Sequence, residues 1–155
     1  MTIEASAFSP ALSRALGLPD GSLAPPDLTS DEKGSYSEIK VATALMDHPE
    51  ISRVTMTEHY SPDDMRGRDI IILFKDELER DPVFIQVKSS HNGADIYNKK
   101  TKKWLKRRGL NMTTEEWMAM NRIMLIIGNG NTPEEIRESF DEQLHAITSL
   151  GKTKH

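Results

Sequence analysis

The chain has 155 residues, of which 37% are hydrophobic and 28% charged, with a net charge of -4 and no cysteine. This length suits one domain with a core of its own. The absence of cysteine excludes disulfides, thiolate zinc sites and cysteine nucleophiles. No apolar run approaches the roughly 20 residues that cross a bilayer, and no basic segment followed by an apolar stretch opens the chain. We therefore expect a cytoplasmic protein that does not bind membranes.

The net charge conceals one strongly basic segment. Residues 99–108 read KKTKKWLKRR, seven basic residues with no acid. Because the whole chain carries -4, the rest of it carries -11, so inferences about partners depend on the local charge. One interpretation is binding to a phosphate backbone, with Trp104 stacking on a base; a solvated helix or loop face is an equally good one. The candidate nucleic-acid-binding residues are Lys99, Lys100, Lys102, Lys103, Trp104, Lys106, Arg107 and Arg108.

The first part of the chain lacks a sustained period. Residues 1–32 are rich in Ser, Pro, Ala and Leu, and we expect an N-terminal extension that is partly flexible, with a short helix over 10–16. The predicted main domain covers 33–150, and 151–155 is predicted to be a tail. Helical spacing of Ile39, Ala42 and Leu45 predicts a first helix over 35–46.

Three strands follow in the prediction. Residues 53–58 alternate as a half-buried strand does. The β-branched run over 70–74 is typical of a central strand covered on both faces. Residues 83–88 form a third strand, which we expect to pair with the second as a hairpin. After Ser90 the pattern weakens, and no element is predicted until residue 113.

The last third of the chain predicts helix, strand and helix. Thr113 and Glu116 form a capping box for a short helix, and residues 123–127 form a fourth buried strand. Thr132 and Pro133 open a final helix, whose apolar face consists of Ile136, Phe140, Leu144 and Ile147. The predicted class is α/β, or more strictly an α+β mixed sheet flanked by helices, in the order α-β-β-β-α-β-α.

Polar residues at two strand positions suggest chemistry. Asp69 stands at the head of the second strand, and Gln86 and Lys88, two residues apart on the third, project to one face. Unpaired polar groups on a buried strand are costly, so this placement favours a functional role. Glu38 is in register with Ala42 in the first helix and could reach the same centre. Phosphodiester cleavage needs such a set, because a divalent cation held by oxygen ligands activates water and a lysine helps.

The sequence segments around these residues resemble a known signature. GSYSE (34–38), GRDIII (67–72) and FIQVKSS (84–90) are similar to the PD-(D/E)XK, or restriction-endonuclease-like, nuclease superfamily in its Mrr-type and Holliday-junction-resolvase-like branch. LNMTTEEWMAMNRIMLII (110–127) resembles restriction-associated relatives. The resemblance covers about residues 34–127 and implies a restriction-endonuclease-like core. It also implies a metal-dependent endonuclease acting on DNA in restriction, phage defence or repair.

The resemblance also implies roles for individual residues. Asp69 would be the principal metal ligand, Lys88 the catalytic lysine, and Glu38 a ligand directly or through water. Gln86 and the backbone carbonyl of Val87 would complete the site. The implied cofactor is Mg²⁺, with Mn²⁺ as a substitute, and homodimers are common in these families.

The departure from the signature is Gln86, where many members carry a carboxylate. A neutral amide supplies no charge, which leaves open a catalytically weakened member that acts as a nucleic-acid-binding or regulatory module. A nuclease directed at RNA is a second alternative, since the sequence does not separate the two substrates.

Structural roles compete with each of these assignments. Asp69 could pair with Arg66 or Arg68, Lys88 could be a strand-end lysine that reaches water, and Glu38 also suits the dipole of a helix start. The literal Pro-Asp-Asp at 62–64 precedes a turn, so Asp69 is preferred. Among the histidines, only His91 is a candidate for the site. The aromatic and methionine side chains at 117, 118, 120 and 124 are expected in the core.

Overall fold

The first helix begins earlier than its apolar spacing indicates. The computed structural model describes residues 29–57 and 69–153. Thr29 forms a capping box, in which its hydroxyl accepts from Glu32 N and its N–H donates to Glu32 Oε1, both at 3.1 Å. Because this box satisfies N–H groups that a helix start leaves without partners, helix α1 runs Ser30–Met46. Its first residues therefore fall inside the range predicted as an extension.

The described part of the chain contains four helices, four strands and one 3₁₀ turn (Asp76–Leu78). After α1 they are, in chain order, β1 (Ile51–Met56), β2 (Ile70–Phe74), β3 (Val83–Lys88), α2 (His91–Arg107), α3 (Thr114–Met120), β4 (Ile123–Ile127) and α4 (Pro133–Thr153). The predicted α+β class with a mixed sheet is confirmed. The last helix continues past residue 150 into the segment predicted as a tail.

The four strands form one sheet in the order β1-β2-β3-β4. The first two pairings are antiparallel, which confirms the predicted β2–β3 hairpin, with Ile70 opposite Ile85. Strands β3 and β4 are parallel, with Lys88 opposite Ile127. The carboxyl ends of β3 and β4 therefore meet the start of β2 at one edge of the sheet.

The main core lies between one face of the sheet and two helices. Alternate strand residues point to this face, where Ile72, Ile85 and Met124 are fully buried. Helix α1 contributes Val41 and Leu45. Helix α4 contributes its predicted apolar face, all of it buried: Ile136, Phe140, Leu144 and Ile147.

Helix α2 is the main difference from the predicted order, which becomes α-β-β-β-α-α-β-α. Its buried positions are Ala94, Thr101 and Leu105, and only one of them is large and apolar. That composition gives a weak periodic signal, although Ser90 caps the helix by accepting from Gly93 N at 3.1 Å. The helix covers the second face of the sheet, where it contacts β3 and β4.

Some of the remaining local predictions are confirmed, one is wrong, and others concern residues outside the described ranges. The Thr113–Glu116 capping box is confirmed, and Met118 and Met124 are buried as expected, but Met120 is exposed. The short helix expected over 10–16, the Pro-Asp-Asp segment at 62–64 and the arginines at 66 and 68 lie outside the described residues. Within the described ranges, no helix is both long and apolar enough to span a bilayer.

Candidate active site

Asp69 is held firmly at the start of β2. Its N–H donates to Ile85 O at 2.9 Å, and its carbonyl accepts from Thr57 N at 2.9 Å and Thr57 Oγ1 at 3.2 Å. The side chain is only 5% exposed, and its Oδ2 accepts from Val87 N at 2.8 Å. The carboxylate therefore takes a β3 N–H as its donor, which fixes its orientation beside the strand that carries Gln86 and Lys88.

Gln86 and Lys88 lie on the face of β3 opposite the main core, as predicted. Gln86 is buried, 7% exposed, and Lys88 is half-buried. The Lys88 carbonyl accepts from Gly128 N at 3.1 Å, which continues the β3–β4 pairing to the end of the strand. The structure thus brings Asp69, Gln86, Val87 and Lys88 together at one sheet edge.

Tyr97 on α2 is a residue of this region that sequence reasoning missed. The Lys88 Nζ lies 5.4 Å from the centroid of its ring. Burial raises the pKa of Tyr97 above its ordinary 10.0, a hydrogen bond with Thr101 opposes the rise, and the negative charge of Asp69 adds to it. The phenol is therefore neutral at physiological pH. The spacing of Ala94, Tyr97 and Thr101 was the signal that could have placed it on an inward helix face.

Glu38 belongs to the α1 turn that meets the same edge of the sheet. Its neighbour Ser37 is fully buried and packs directly on Gly128, where an added Cβ would lie 2.5 Å from Ser37 O. Gly128 N in turn donates a hydrogen bond to Lys88 O. These contacts place the turn that carries half-buried Glu38 next to the end of β4, while α1 lies against the core face of the sheet.

The donor atoms at this edge are all oxygens. Asp69 offers a carboxylate, Gln86 an amide and Val87 a carbonyl, which are donors that Mg²⁺ accepts together with water and substrate oxygens. In the described ranges no three His, Cys, Asp or Glu side chains are grouped so as to share a metal. The set fits a magnesium ion held by few protein ligands, and it does not fit a structural zinc site.

The basic segment is the outer surface of α2. All seven of its Lys and Arg residues are exposed, while Thr101 and Leu105 point inward. Trp104 is 40% exposed, but its ring packs edge-on against Trp117 at 5.5 Å. The Arg108 guanidinium lies 5.2 Å from the ring centroid of Trp104. These two contacts make Trp104 a less open stacking surface than its sequence position suggested.

His91 is exposed at the first residue of α2. It lines a cleft of about 330 Å³ together with residues of β4, with Glu135 and Glu142 of α4, and with Asn131 from the loop between β4 and α4. Neither Asp69 nor Lys88 lines this cleft.

Comparisons with family models, curated proteins and solved structures find no match for this chain. Fold and site together define an α+β domain with a carboxylate, an amide and a lysine at one edge of a mixed sheet.

Proposed function

We propose that this chain is a metal-dependent nuclease that hydrolyses phosphodiester bonds, with DNA as the expected substrate and a restriction-endonuclease-like core. The observation that carries the proposal is the grouping of Asp69, Gln86 and Lys88 at one sheet edge, with the Asp69 carboxylate fixed by Val87 N at 2.8 Å. Burial of charged groups such as the Asp69 carboxylate and the Lys88 ammonium costs free energy. Binding of a cation and a phosphate would offset that cost.

Each residue has a role that its position supports. Asp69 supplies the charged ligand, and Gln86, the Val87 carbonyl and Glu38 are the further candidate ligands. A bound Mg²⁺ would lower the pKa of a water molecule and neutralise phosphate charge. The Lys88 ammonium, on the same face as Gln86, would donate to a phosphate oxygen or to the attacking water as negative charge develops.

Helix α2 supports a nucleic-acid substrate. It begins beside Lys88, where a Cβ added at Gly93 would lie 3.7 Å from the Lys88 Cβ. Its exposed cations then extend away from the site. Lys99 and Arg107 are separated by about 12 Å of helix rise, close to the rise of three or four base pairs at about 3.4 Å each. The helix is therefore suited to hold the backbone on one side of the cleaved bond.

Gln86 favours a second candidate, a nucleic-acid-binding or regulatory module with weakened catalysis. The amide coordinates without adding charge, and no three acidic or histidine side chains of the described ranges group around a metal. Metal affinity would then be low. Such a module would keep the basic surface of α2 and bind nucleic acid without cutting it.

A substrate panel separates these functions. Purified protein is incubated with plasmid, linear, branched and single-stranded DNA and with RNA, each with Mg²⁺, with Mn²⁺ or with EDTA. The proposal predicts metal-dependent cleavage of at least one DNA. Binding without cleavage in the presence of either metal would support the weakened module. Cleavage of RNA alone would identify RNA as the substrate. Cleavage that persists in EDTA would contradict the metal-dependent mechanism.

A further inference from the structure

The Lys88 side chain has an aromatic partner on a different element. Its Nζ lies 5.4 Å from the ring centroid of Tyr97, inside the roughly 6 Å over which an aromatic ring attracts a cation. A lysine side chain has many rotamers, and fixing it has an entropic cost. A ring beside the ammonium restricts it to fewer positions without neutralising its charge, as a carboxylate partner would do.

The position of Tyr97 is set by contacts that begin next to Lys88 itself. Ser90, two residues beyond Lys88, caps α2 by accepting from Gly93 N. Inside the helix, the Thr101 hydroxyl donates to the Tyr97 carbonyl at 2.8 Å. Ala94 and Thr101, on the turns before and after the tyrosine, are buried. The ring is thus carried by a packed helix whose cap, Ser90, is two residues after the lysine that the ring contacts.

The charge of Asp69 also acts on Tyr97. After burial, which has the larger effect, the negative charge of the Asp69 carboxylate raises the pKa of the Tyr97 phenol. The half-buried ring also displaces water from the side of Lys88 that it covers. A desolvated cation attracts a ring more strongly than an exposed one does.

We propose that Tyr97 is a positioning residue of the candidate active site, which holds the Lys88 ammonium beside Asp69 through the face of its ring. This inference deepens the proposed nuclease function and depends on it for the consequence in catalysis. It makes the ring essential and the hydroxyl dispensable. Phenylalanine should therefore substitute for Tyr97, and leucine, which is apolar but has no ring, should not.

The test compares Tyr97→Phe and Tyr97→Leu in the full chain. Proton NMR of the Lys88 ε-methylene, assigned by its loss in Lys88→Arg, measures whether a ring lies beside the lysine. We expect an upfield shift relative to exposed lysines in the wild type and in Y97F, and its loss in Y97L. Trp117→Leu removes another half-buried ring and should leave this resonance in place. An ε-methylene that does not change in Y97L would overturn the positioning role.

Kinetics then test the consequence. On a substrate that the wild type cleaves, Y97L should lower kcat by about 3- to 30-fold, the range that a cation–π contact gives, with KM unchanged and with rescue by Y97F. A kcat of Y97L equal to the wild type would also overturn the proposal. The NMR shift does not need cleavage, so a protein that cuts nothing would refute the nuclease function while the shift still decides the role of Tyr97.

Discussion

Asp69 contributes to the stability of the fold as well as to the proposed catalysis. The Asp69 carboxylate accepts the N–H of Val87 inside a buried strand pair, and a buried N–H without an acceptor costs about 1–3 kcal/mol. We therefore expect Asp69→Ala to lower the free energy of unfolding by about that amount. Asp69→Asn should lower it less, because an amide oxygen still accepts a hydrogen bond.

Urea unfolding measures this difference. The exposed Asp95 on α2 provides the control, since Asp95→Ala should change stability by no more than about 0.5 kcal/mol. Equal stability of Asp69→Ala and the wild type would show that the carboxylate does not support Val87.

Two glycines make a matched pair for the contact between α1 and the sheet edge. A Cβ on Gly128 would lie 2.5 Å from Ser37 O and 2.8 Å from Ser37 Cα, whereas a Cβ on Gly34 would meet nothing within 4 Å. Gly128→Ala should therefore destabilise by about 1–3 kcal/mol through overpacking. Gly34→Ala, in the interior of α1, should stabilise by about 0.5–1 kcal/mol.

Thermal unfolding of the two variants should move Tm in opposite directions. A Gly128→Ala variant with the Tm of the wild type would mean that α1 does not pack closely against the end of β4. The contact that brings the α1 turn with Glu38 to this end of the sheet would then be absent.

Strand spacing predicted which residues of the site share an edge. It could not predict contacts between residues of different elements. Gln86 and Lys88 are two apart on one strand, and Asp69 heads its hairpin partner, so strand geometry alone sets their common edge. Tyr97 reaches Lys88 only because α2 folds back over the sheet. No pattern within either segment contains that information.

At the scale of elements, α2 shows why a basic amphipathic helix is hard to predict. The apolar strands β2 and β4 were predicted from continuous apolar runs, with bounds close to those observed. Helix α2 buries mainly small or polar residues, Ala94 and Thr101 among them, so apolar spacing hardly marks it. Its stability comes from packing on a sheet that the local sequence does not describe.

The outer face of α2 gives a prediction about nucleic-acid binding. Each phosphate contact that is lost makes the dependence of log K on log salt less steep by about 0.9 for duplex DNA. We expect K103Q/R107Q to weaken duplex binding and to reduce the slope by about 1.8. The control R53Q/K75Q removes two exposed cations from outside α2 and should change the slope far less.

Fluorescence anisotropy over a salt series measures both slopes. Identical slopes for K103Q/R107Q and the wild type would identify the basic segment as a solvated face only.

Strand β4 is an edge strand of the sheet, and a side chain of α4 forms hydrogen bonds with its outer backbone groups. Gln143 Oε1 accepts from Leu125 N, and Gln143 Nε2 donates to Leu125 O, each at 2.9 Å. The amide thus fills the place of a neighbouring strand, which protects the edge from pairing with another chain. Gln143→Ala should destabilise by about 1–3 kcal/mol and increase self-association.

Chemical unfolding and size-exclusion chromatography check the two effects, with Glu142→Ala, an exposed neighbour, as the control. A Gln143→Ala variant that stays monomeric and as stable as Glu142→Ala would show that the amide does not guard this edge.

At the scale of the whole molecule, the sheet class was more predictable than the layers around it. Strand runs and the turn between β2 and β3 are local features, and they were enough to predict the mixed sheet. The number of helices was not predictable in this way, because α2 is stabilised by packing on the face of the sheet opposite to α1 and α4. The proposed function depends on that arrangement too, because it places a basic helix and a buried carboxylate at the same edge.

The proposed nuclease requires Asp69 and Lys88 to act together in metal-dependent cleavage. The most direct test measures the cleavage rate of the wild type, Asp69→Asn and Lys88→Met on the best DNA substrate with Mg²⁺ or Mn²⁺, with Asp95→Asn as control. We expect each site variant to lose at least about 100-fold in rate, as removal of a charge-stabilising group does, while the control cleaves normally. Cleavage by both site variants at the wild-type rate would contradict the proposed centre.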